Sequence, residues 1–522
     1  MSEQLQTYLG KLGQPFGLAA LSAIAHGIEK ESLRIDPEGH LALTPHPAGL
    51  GSALTHSCIT TDFSEALMEF ITPVFRNPAD SLRFLHDTHS FTYTQLPREE
   101  LLWTSSMPCV IADKDKIPLA QYGSSNTAQL KTLYRRGLGY RYGRSMQTIA
   151  GIHYNFSLPD SFWKLLHEQQ QSTESLDDFR TAQYFALIRN FRRFSWLLLY
   201  LFGASPALCK SFVRNNPNHG LDELSEGTAY LPYATSLRMG DLGYTSKAQA
   251  GLAISYNSLK EYTDGLDRAI RTPYPAYASF TTPDGSPAQV NSNILQMEAE
   301  FYSTIRPKRI PANGERPVTA LRKHGVEYIE VRCLDLNPFL PVGIDEEEMR
   351  FLNGFLVYCL LQPSAPSSLT DHVEIQDNHK SVVRRGREPG LQLQHEGKRV
   401  SLTEWATQIL DDVSKIADLL DRANQTTTHR AAVAAQLAKV NDSSLTPSAR
   451  VLERMRDSKA SYFRFAMNQS LANSDYFRMQ QLDAEKRAQF ERMSQTSNQE
   501  REAIESSDTM DFATYLQRFN NS

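Results

Sequence analysis

A fourteen-residue stretch, Val326–Phe339 (VEYIEVRCLDLNPF), constrains the fold more than any other part of the chain. Read at the strand period of two, Ile329, Val331 and Cys333 fall on one face and Tyr328, Glu330 and Arg332 on the other. The first face is apolar and suited to packing against helices. The second sets a carboxylate beside a guanidinium, and Asn337-Pro338 ends the strand. One such strand alone could simply have a solvated face. The pattern recurs, however. In Gly151–Leu158 (GIHYNFSL) the polar face carries His153, Asn155 and Ser157. In Gly27–Ile35 (GIEKESLRI) Glu29 and Glu31 share a face. In Ala66–Phe75 (ALMEFITPVF) a lone Glu69 lies between Met68 and Phe70, with Asp62 shortly before it. An acid in so apolar a run is expensive to bury without compensation. Together the four segments predict one sheet with a polar concave face.

Around these strands the chain reads as strands and helices mixed, then helices alone. A short amphipathic helix is expected in the first dozen residues, and Asn77-Pro78 reads as a cap opening a helix to about Leu96. The segment 127–142 mixes a helical turn with glycines and offers Tyr134, Arg135 and Arg136 for ligand contact. A single long helix is expected over 175–202, with Arg189, Arg192 and Arg193 on its polar side. Residues 204–252 show little regular pattern, although their tyrosines argue for order. A helix is expected over 254–271, a strand around Val290–Leu295, and a helix over Ile344–Leu361 with an acidic first turn. The run Arg306–Arg309 reads as a solvated turn in preference to a nucleic-acid patch. Beyond residue 400 helices are expected at 403–422, 427–440, 446–456 and 458–471, with 480–506 an exposed helix or a mobile segment. Without regular βαβ alternation this order indicates α+β rather than a doubly wound sheet.

Several function classes are disfavoured. The chain of 522 residues carries 54 basic and 59 acidic groups, net −5, with no basic tail, which argues against nucleic-acid binding. Five cysteines, Cys58, Cys109, Cys209, Cys333 and Cys359, form no C-x-x-C pair, and reduced thiols in a cytoplasmic protein are expected. The greasiest run, Phe194–Gly203, is far shorter than the ~20 residues of a membrane span, and the N-terminus lacks the pattern of a signal peptide. No P-loop, dinucleotide fingerprint, H-E-x-x-H or G-x-S-x-G occurs.

What remains is Glu29, Glu31, Asp62, Glu69 and Glu330, with His153. Two carboxylates ~4 Å apart repel by about 4 kcal/mol at an effective dielectric of about 20, so five converge only around cations. Nearly all-oxygen ligation with one imidazole suits Mg²⁺ or Mn²⁺ rather than zinc. Arg332, beside Glu330, is placed to neutralise a transferring phosphoryl group. Spacing alone leaves open whether these acids converge or lie dispersed on the surface.

At these residues the chain resembles a known family. GIEKESLRID, GSALTHSCITTDFSEALMEFITP, AQYGSSNTAQLKTLYRRGL, RYGRSMQTIAGIHYNFSLP, YLFGASPALC, YLPYATSLRMGDLGYT, NSNILQMEAEFYSTIRPKR and GVEYIEVRCLDLNPF are similar to motifs of the bacterial class of glutamate–cysteine ligase, over about residues 20 to 395. The resemblance implies an α+β, glutamine-synthetase-like fold: a curved antiparallel sheet forming a funnel, with helices outside. It implies a catalytic domain over 1–395 and a helical region, 396–522, packed on it. The implied reaction joins the γ-carboxylate of L-glutamate to the α-amine of L-cysteine, with ATP as co-substrate, through a γ-glutamyl phosphate. This is the first step of glutathione biosynthesis. By motif, Glu29, Glu31, Asp62, Glu69, His153 and Glu330 match the family's metal site for Mg²⁺ or Mn²⁺, and Arg332 matches the arginine facing the transferred phosphate. Phe63, Tyr134, Arg135, Leu138, Gln147, Tyr244 and Tyr302 match residues of the cysteine and glutamate pockets, and Arg238 a substrate-carboxylate arginine. A monomer inhibited by glutathione is implied as well. Two other classes are retained: a sibling ligase using a different amine, and a non-enzymatic metal- or nucleic-acid-binding protein.

Overall fold

The computed structural model describes residues 3–521 apart from 109, 112–115, 215, 217, 243–246, 253 and 313–314. The principal sheet is built from strands β1 (Ala25–Ile35), β2 (Ile59–Thr61), β3 (Leu67–Ile71), β4 (Leu101–Leu102) and β5 (Ile152–Ser157). After a smaller sheet of β6 (Ala207–Cys209), β7 (Asp222–Ser225) and β8 (Thr228–Tyr230), it is completed by β9 (Ile305–Lys308) and β10 (Tyr328–Leu334). A hairpin, β11 (Gln392–His395) and β12 (Lys398–Ser401), leads into the C-terminal helices. The order is β2-β3-β1-β5-β10-β9, with β4 against the far end of β1, and every pairing is antiparallel.

Register decides which side chains meet, because successive residues of a strand point to opposite faces. Glu29 pairs with His153, Glu31 with Glu69, and Glu330 with both Asn155 and Arg306. All of these therefore share one face. On the other, Ile28, Phe70, Ile152, Tyr154, Phe156, Ile329 and Val331 are fully buried. They join an apolar cluster that runs from Leu5 to Phe490 and takes in helices from both ends of the chain. The helix Glu346–Leu361 packs in this cluster; its cap is Asp345, whose side chain accepts from the Glu348 N–H at 2.9 Å.

Local chemistry explains where the sequence reading and the structure differ. The segment 127–142 belongs to one uninterrupted helix, Asn126–Tyr142, capped by Ser125. Its Gly137 is there for close approach: a Cβ would stand 2.1 Å from Oε1 of Gln296. The expected long helix over 175–202 is two helices, Leu176–Phe194 and Trp196–Phe202, meeting at Ser195. Arg189, expected on a polar side, is buried and donates to the carbonyls of Tyr256, Asn257 and Ser364. Residues 204–252 contain the whole smaller sheet, and the helix expected from 254 starts only at Leu259, after its cap Ser258. No strand forms around Val290–Leu295; Pro273 makes an isolated bridge to Asn293 and the chain is otherwise irregular. Arg306–Arg309 does not form a solvated turn. Ile305–Lys308 is β9, an edge strand, which is where a proline such as Pro307 is tolerated. The charge-rich segment after 480 is the helix Ala484–Ser507, held down by Phe490 against Phe84 and Phe91. A last helix, Phe512–Asn521, follows it.

The four described cysteines, Cys58, Cys209, Cys333 and Cys359, are buried and unpaired. Cys109 lies outside the described residues. No described helix is long and apolar enough to cross a membrane.

Candidate active site

The polar face of the sheet floors a cavity of about 590 Å³. It is lined by Glu29, Glu31, Asp62, Glu69, His153, Glu330 and Arg332 from the sheet and its loops, and by Phe63, Tyr134, Arg135, Leu138, Gln147, Arg238 and Tyr302 around them. These candidates from the sequence thus face one space; Tyr244 lies outside the described residues, and Arg136, offered with Tyr134 and Arg135 for ligand contact, turns away from the cavity and donates to Ser286 Oγ and the Pro287 carbonyl, both at 3.0 Å.

The acids are held by their strands. Glu29 accepts from Asn155 Nδ2 at 2.8 Å, and its other oxygen lies 3.2 Å from His153 Nδ1. Glu31 accepts from the Gly151 N–H at 2.7 Å. On β10 the register slips by one residue between Val331 and Leu334, so that Arg332 and Cys333 together oppose His153. Such a bulge re-aims a side chain. It leaves Arg332 Nη1 3.0 Å from Glu330 Oε1 and 3.4 Å from His153 Nδ1. Lys308 Nζ approaches the same Glu330 oxygen at 3.5 Å from β9.

These contacts polarise the cluster. Burial opposes ionisation of Glu330, but Arg332, Lys308, His153 and Arg306 outweigh it and hold its carboxyl well below the usual range. Burial and Glu330 also oppose ionisation of Glu29, yet His153 and Lys308 bring its carboxyl below the usual value. At Glu31 and Glu69 burial outweighs the cations. Burial, joined by the charge of Asp62, prevails over the pull of His153, Arg238 and Arg332 and pushes Glu31 up. Burial, then Glu29, Asp62 and Glu31, push Glu69 up much further against the weaker pull of Arg135. Cations prevail around Glu330 and Glu29, whereas burial and neighbouring acids prevail around Glu31 and Glu69.

The donor set between Glu29 and Glu69 fits a hard divalent cation. Ligand atoms of Glu29, Glu69 and His153 lie within 4.8 Å of one another, and oxygen donors predominate. Glu330, which also lines the cavity, has its Oε2 buried with no hydrogen-bond partner among the described residues, which leaves a further acceptor available.

The rest of the wall comes from loops and one helix. Phe63 and Leu138 pack together with Tyr134 beside them, and Arg135 Nε donates to the carbonyl of Asp62 while its guanidinium covers the Tyr122 ring. Arg238 reaches over Gly151 to donate to the Arg332 carbonyl at 3.2 Å, and it lies 3.7 Å from Asp335. Any side chain at 151 would collide with it, since a Cβ there would stand 1.9 Å from Arg238 Nη2.

Sequence reasoning missed several cavity residues. Arg306 and Lys308 alternate with Ile305 and Pro307 at the strand period, a signal present but short. Arg316 holds Glu298 through two 3.2 Å hydrogen bonds, and Tyr515 and Phe519 enter from the last helix. Nothing local marks these four as neighbours.

Comparison with known proteins agrees with this picture. The family model described as glutamate-cysteine ligase matches residues 9–382. A glutamate–cysteine ligase of Pseudomonas fluorescens is 51% identical over 517 residues, covering 99% of this chain and 97% of that one. One of Pseudomonas aeruginosa is 52% identical, covering 99% and 98%. Among solved structures, the glutamate–cysteine ligase of Francisella tularensis in complex with AMP superposes with a TM-score of 0.89 at 36% identity, over 95% of this chain and 97% of that one. A bifunctional glutathione synthetase from Pasteurella multocida shares the fold, with a TM-score of 0.71 at 23% identity over 91% of this chain and 55% of that one. With relatives about half identical over nearly its whole length, this chain belongs to the glutamate–cysteine ligase family.

Proposed function

We propose that the protein joins L-glutamate to L-cysteine at the expense of ATP, giving γ-glutamylcysteine, ADP and phosphate. The observation that carries this reading is the polarised sheet face: acids whose burial and mutual repulsion outweigh the nearby cations around Glu31 and Glu69, and Arg332, Lys308 and Arg306 around Glu330. In this reading the γ-carboxylate attacks the terminal phosphorus of ATP, the α-amine of cysteine attacks the resulting acyl phosphate, and phosphate leaves with the bonding electron pair. Arg332 neutralises the transferring phosphoryl group with a planar fork of donors. Arg238, braced on the Arg332 carbonyl, binds a substrate carboxylate close to that group. Phe63, Leu138, Tyr134, Arg135, Gln147 and Tyr302 shape the two amino-acid pockets, with Tyr244 assigned to them by resemblance alone. The protein's contribution is positioning and charge neutralisation rather than a covalent intermediate.

Glu29, Glu69 and His153, with Glu31, Asp62 and Glu330 around them, would hold Mg²⁺ or Mn²⁺. When bound, the ion would screen the charge of the nucleotide phosphates and of the acids themselves. A cytoplasmic monomer inhibited by glutathione, which contains the product's own γ-glutamylcysteine portion, completes the reading.

The test is ADP release with glutamate plus cysteine against each amino acid alone. The reading requires sustained release only with both. Equal release without cysteine, or with an unrelated amine in its place, contradicts it.

A further inference from the structure

Behind the cavity, where β10 ends at Leu334, the next residue is an acid whose side chain has no exposure, Asp335. A carboxylate so buried is expensive unless hydrogen bonds and a counter-charge compensate it. Asp335 has both. Its Oδ2 accepts from the Ala204 N–H at 2.8 Å, and its Oδ1 accepts from the Ser236 hydroxyl at 2.8 Å. Among the described residues its one ion pair is with Arg238, whose Nη1 lies 3.7 Å from Oδ1. Burial pushes the Asp335 carboxyl up, and Arg238 comes first among the groups that oppose this, ahead of the Ala204 N–H and the Ser236 hydroxyl.

Those partners sit on the backbone that carries Arg238. The chain around Ser205 pairs with the chain around Ser236: the Leu237 N–H donates to the Ser205 carbonyl at 2.7 Å, and the Ser205 N–H to the Thr235 carbonyl at 3.1 Å. Ser236 leads directly into the short 3₁₀ turn Leu237–Met239 that presents Arg238. Asp335 therefore ties this turn to the end of the central strand. The guanidinium is held at two further points. Nη2 donates to the Arg332 carbonyl at 3.2 Å and Nη1 to Met239 Sδ at 3.2 Å, a sulfur that also accepts from the Tyr302 hydroxyl at 3.2 Å. A guanidinium has five N–H donors, so these two bonds leave donors for a ligand. At 3.7 Å Asp335 is beyond hydrogen-bond reach, and it supplies charge without taking a donor.

We infer that Asp335 is the positioning residue for Arg238: it fixes the turn, and offsets the charge, of the arginine that takes a substrate carboxylate. The inference rests on the assignment of Arg238 to that carboxylate. Asp335 is not among the residues that line the cavity, so its effect on substrate passes through Arg238.

The experiment measures kcat and the KM values of glutamate, cysteine and ATP for full-length wild type, Asp335→Asn, Arg238→Met and the double variant. Asparagine keeps the shape of the side chain and removes its charge. In Asp335→Asn the KM of one amino acid, the same one that responds to Arg238→Met, should rise roughly 5- to 100-fold. The ATP KM should stay within about threefold, and kcat should change less than the amino-acid KM. The double variant should match Arg238→Met within about twofold, because Asp335 then has nothing left to position. A purely structural role would instead multiply the two single effects or shift all three KM values together, and either result overturns the inference. Unchanged KM values in Asp335→Asn, with Arg238→Met impaired, overturn it while leaving the assignment of Arg238 intact. Unchanged amino-acid KM values in Arg238→Met overturn both. If Asp335→Asn does not fold, Ser236→Ala decides, since it withdraws one hydrogen bond from the same carboxylate and leaves its charge. A rise of about 2- to 10-fold in that one amino-acid KM supports the inference, and no change overturns it.

Discussion

Glu69→Gln should make the metal-free protein more stable and the magnesium-loaded protein no better than the metal-free one. Glu69 and Glu29 offer oxygens within 4.8 Å of each other, and Glu31 pairs with Glu69 across the strands. At that separation one carboxylate pair repels by about 3.5 kcal/mol at an effective dielectric of about 20. Part of this is relieved by a proton, because burial and the neighbouring acids push the Glu69 carboxyl well above its usual range. The sign follows from linkage: the folded state binds that proton more tightly, so metal-free stability falls as pH climbs from the ordinary glutamate range through the raised value. The glutamine variant removes the fall. With roughly 2.1 cal/mol/K of unfolding entropy per residue, a chain of 522 residues shifts by about 1 °C for each kcal/mol. A gain of about 1–3 °C is therefore expected for the metal-free variant at pH 8.5. Wild type should gain about 2–3 °C from Mg²⁺ at 100 times its dissociation constant, equivalent to about 2.7 kcal/mol, and the variant should lose that gain. Scanning calorimetry of both proteins with EDTA and with MgCl₂ measures all four values. A variant less stable than wild type without metal, yet stabilised by Mg²⁺ to the same extent, would refute the account of this cluster.

Arg332→Lys should lose nearly as much kcat as Arg332→Ala, since a point charge does not replace a fork already aimed by the β10 bulge; steady-state kinetics showing only a KM change in both variants would contradict this. Lys30 lies on the opposite face of β1, buried with Ser32 and His89 each 2.8 Å away and no ion pair to a carboxylate among the described residues, and burial lowers its pKa from 10.5 to about 7. Between those values the unfolded chain holds a proton that the folded one has lost, so stability should rise with pH across that window; Lys30→Met should flatten the rise and stabilise most below pH 7, by less than roughly 5 kcal/mol because the two hydrogen bonds are lost, and an unchanged pH profile in denaturant unfolding would count against it. L-2-aminobutyrate, which keeps the α-amine but lacks the thiol, should still be ligated with kcat/KM down roughly 10- to 200-fold, whereas 3-mercaptopropionate should give no stable product; the reverse pattern would make the thiol the nucleophile.

Much of the acid face is readable from the strands because its period is two and the apolar residues alternate so regularly around Glu29, Glu31, Glu69, His153 and Glu330. Alternation says which residues share a face of their own strand. It cannot say which strands are neighbours, and the meeting of Glu31 with Glu69 or of Glu330 with Arg306 is a matter of register. The bulge that aims Arg332 is likewise invisible, since an extra residue in one strand shows only against its partner. β9 escapes recognition because it has four residues, two of them cations and one a proline, and its strand character comes from pairing with β10 rather than from propensity. The helix Asn126–Tyr142 runs through two glycines that would break a weaker pattern; Gly137 is repaid by the close packing of Gln296. Tyr515 and Phe519 are almost four hundred positions from Leu130, and only tertiary docking brings them to the cavity.

The central claim is that phosphate is transferred to the γ-carboxylate before the amine attacks. It is tested most directly by supplying glutamate labelled with ¹⁸O in that carboxylate and analysing the phosphate released with ATP and unlabelled cysteine. Attack of a carboxylate oxygen on phosphorus, followed by displacement at the acyl carbon, leaves one labelled oxygen in each phosphate formed, in step with γ-glutamylcysteine. Phosphate released without label, while product accumulates at the same rate, would mean that ATP is cleaved by water and that no acyl phosphate forms on the path.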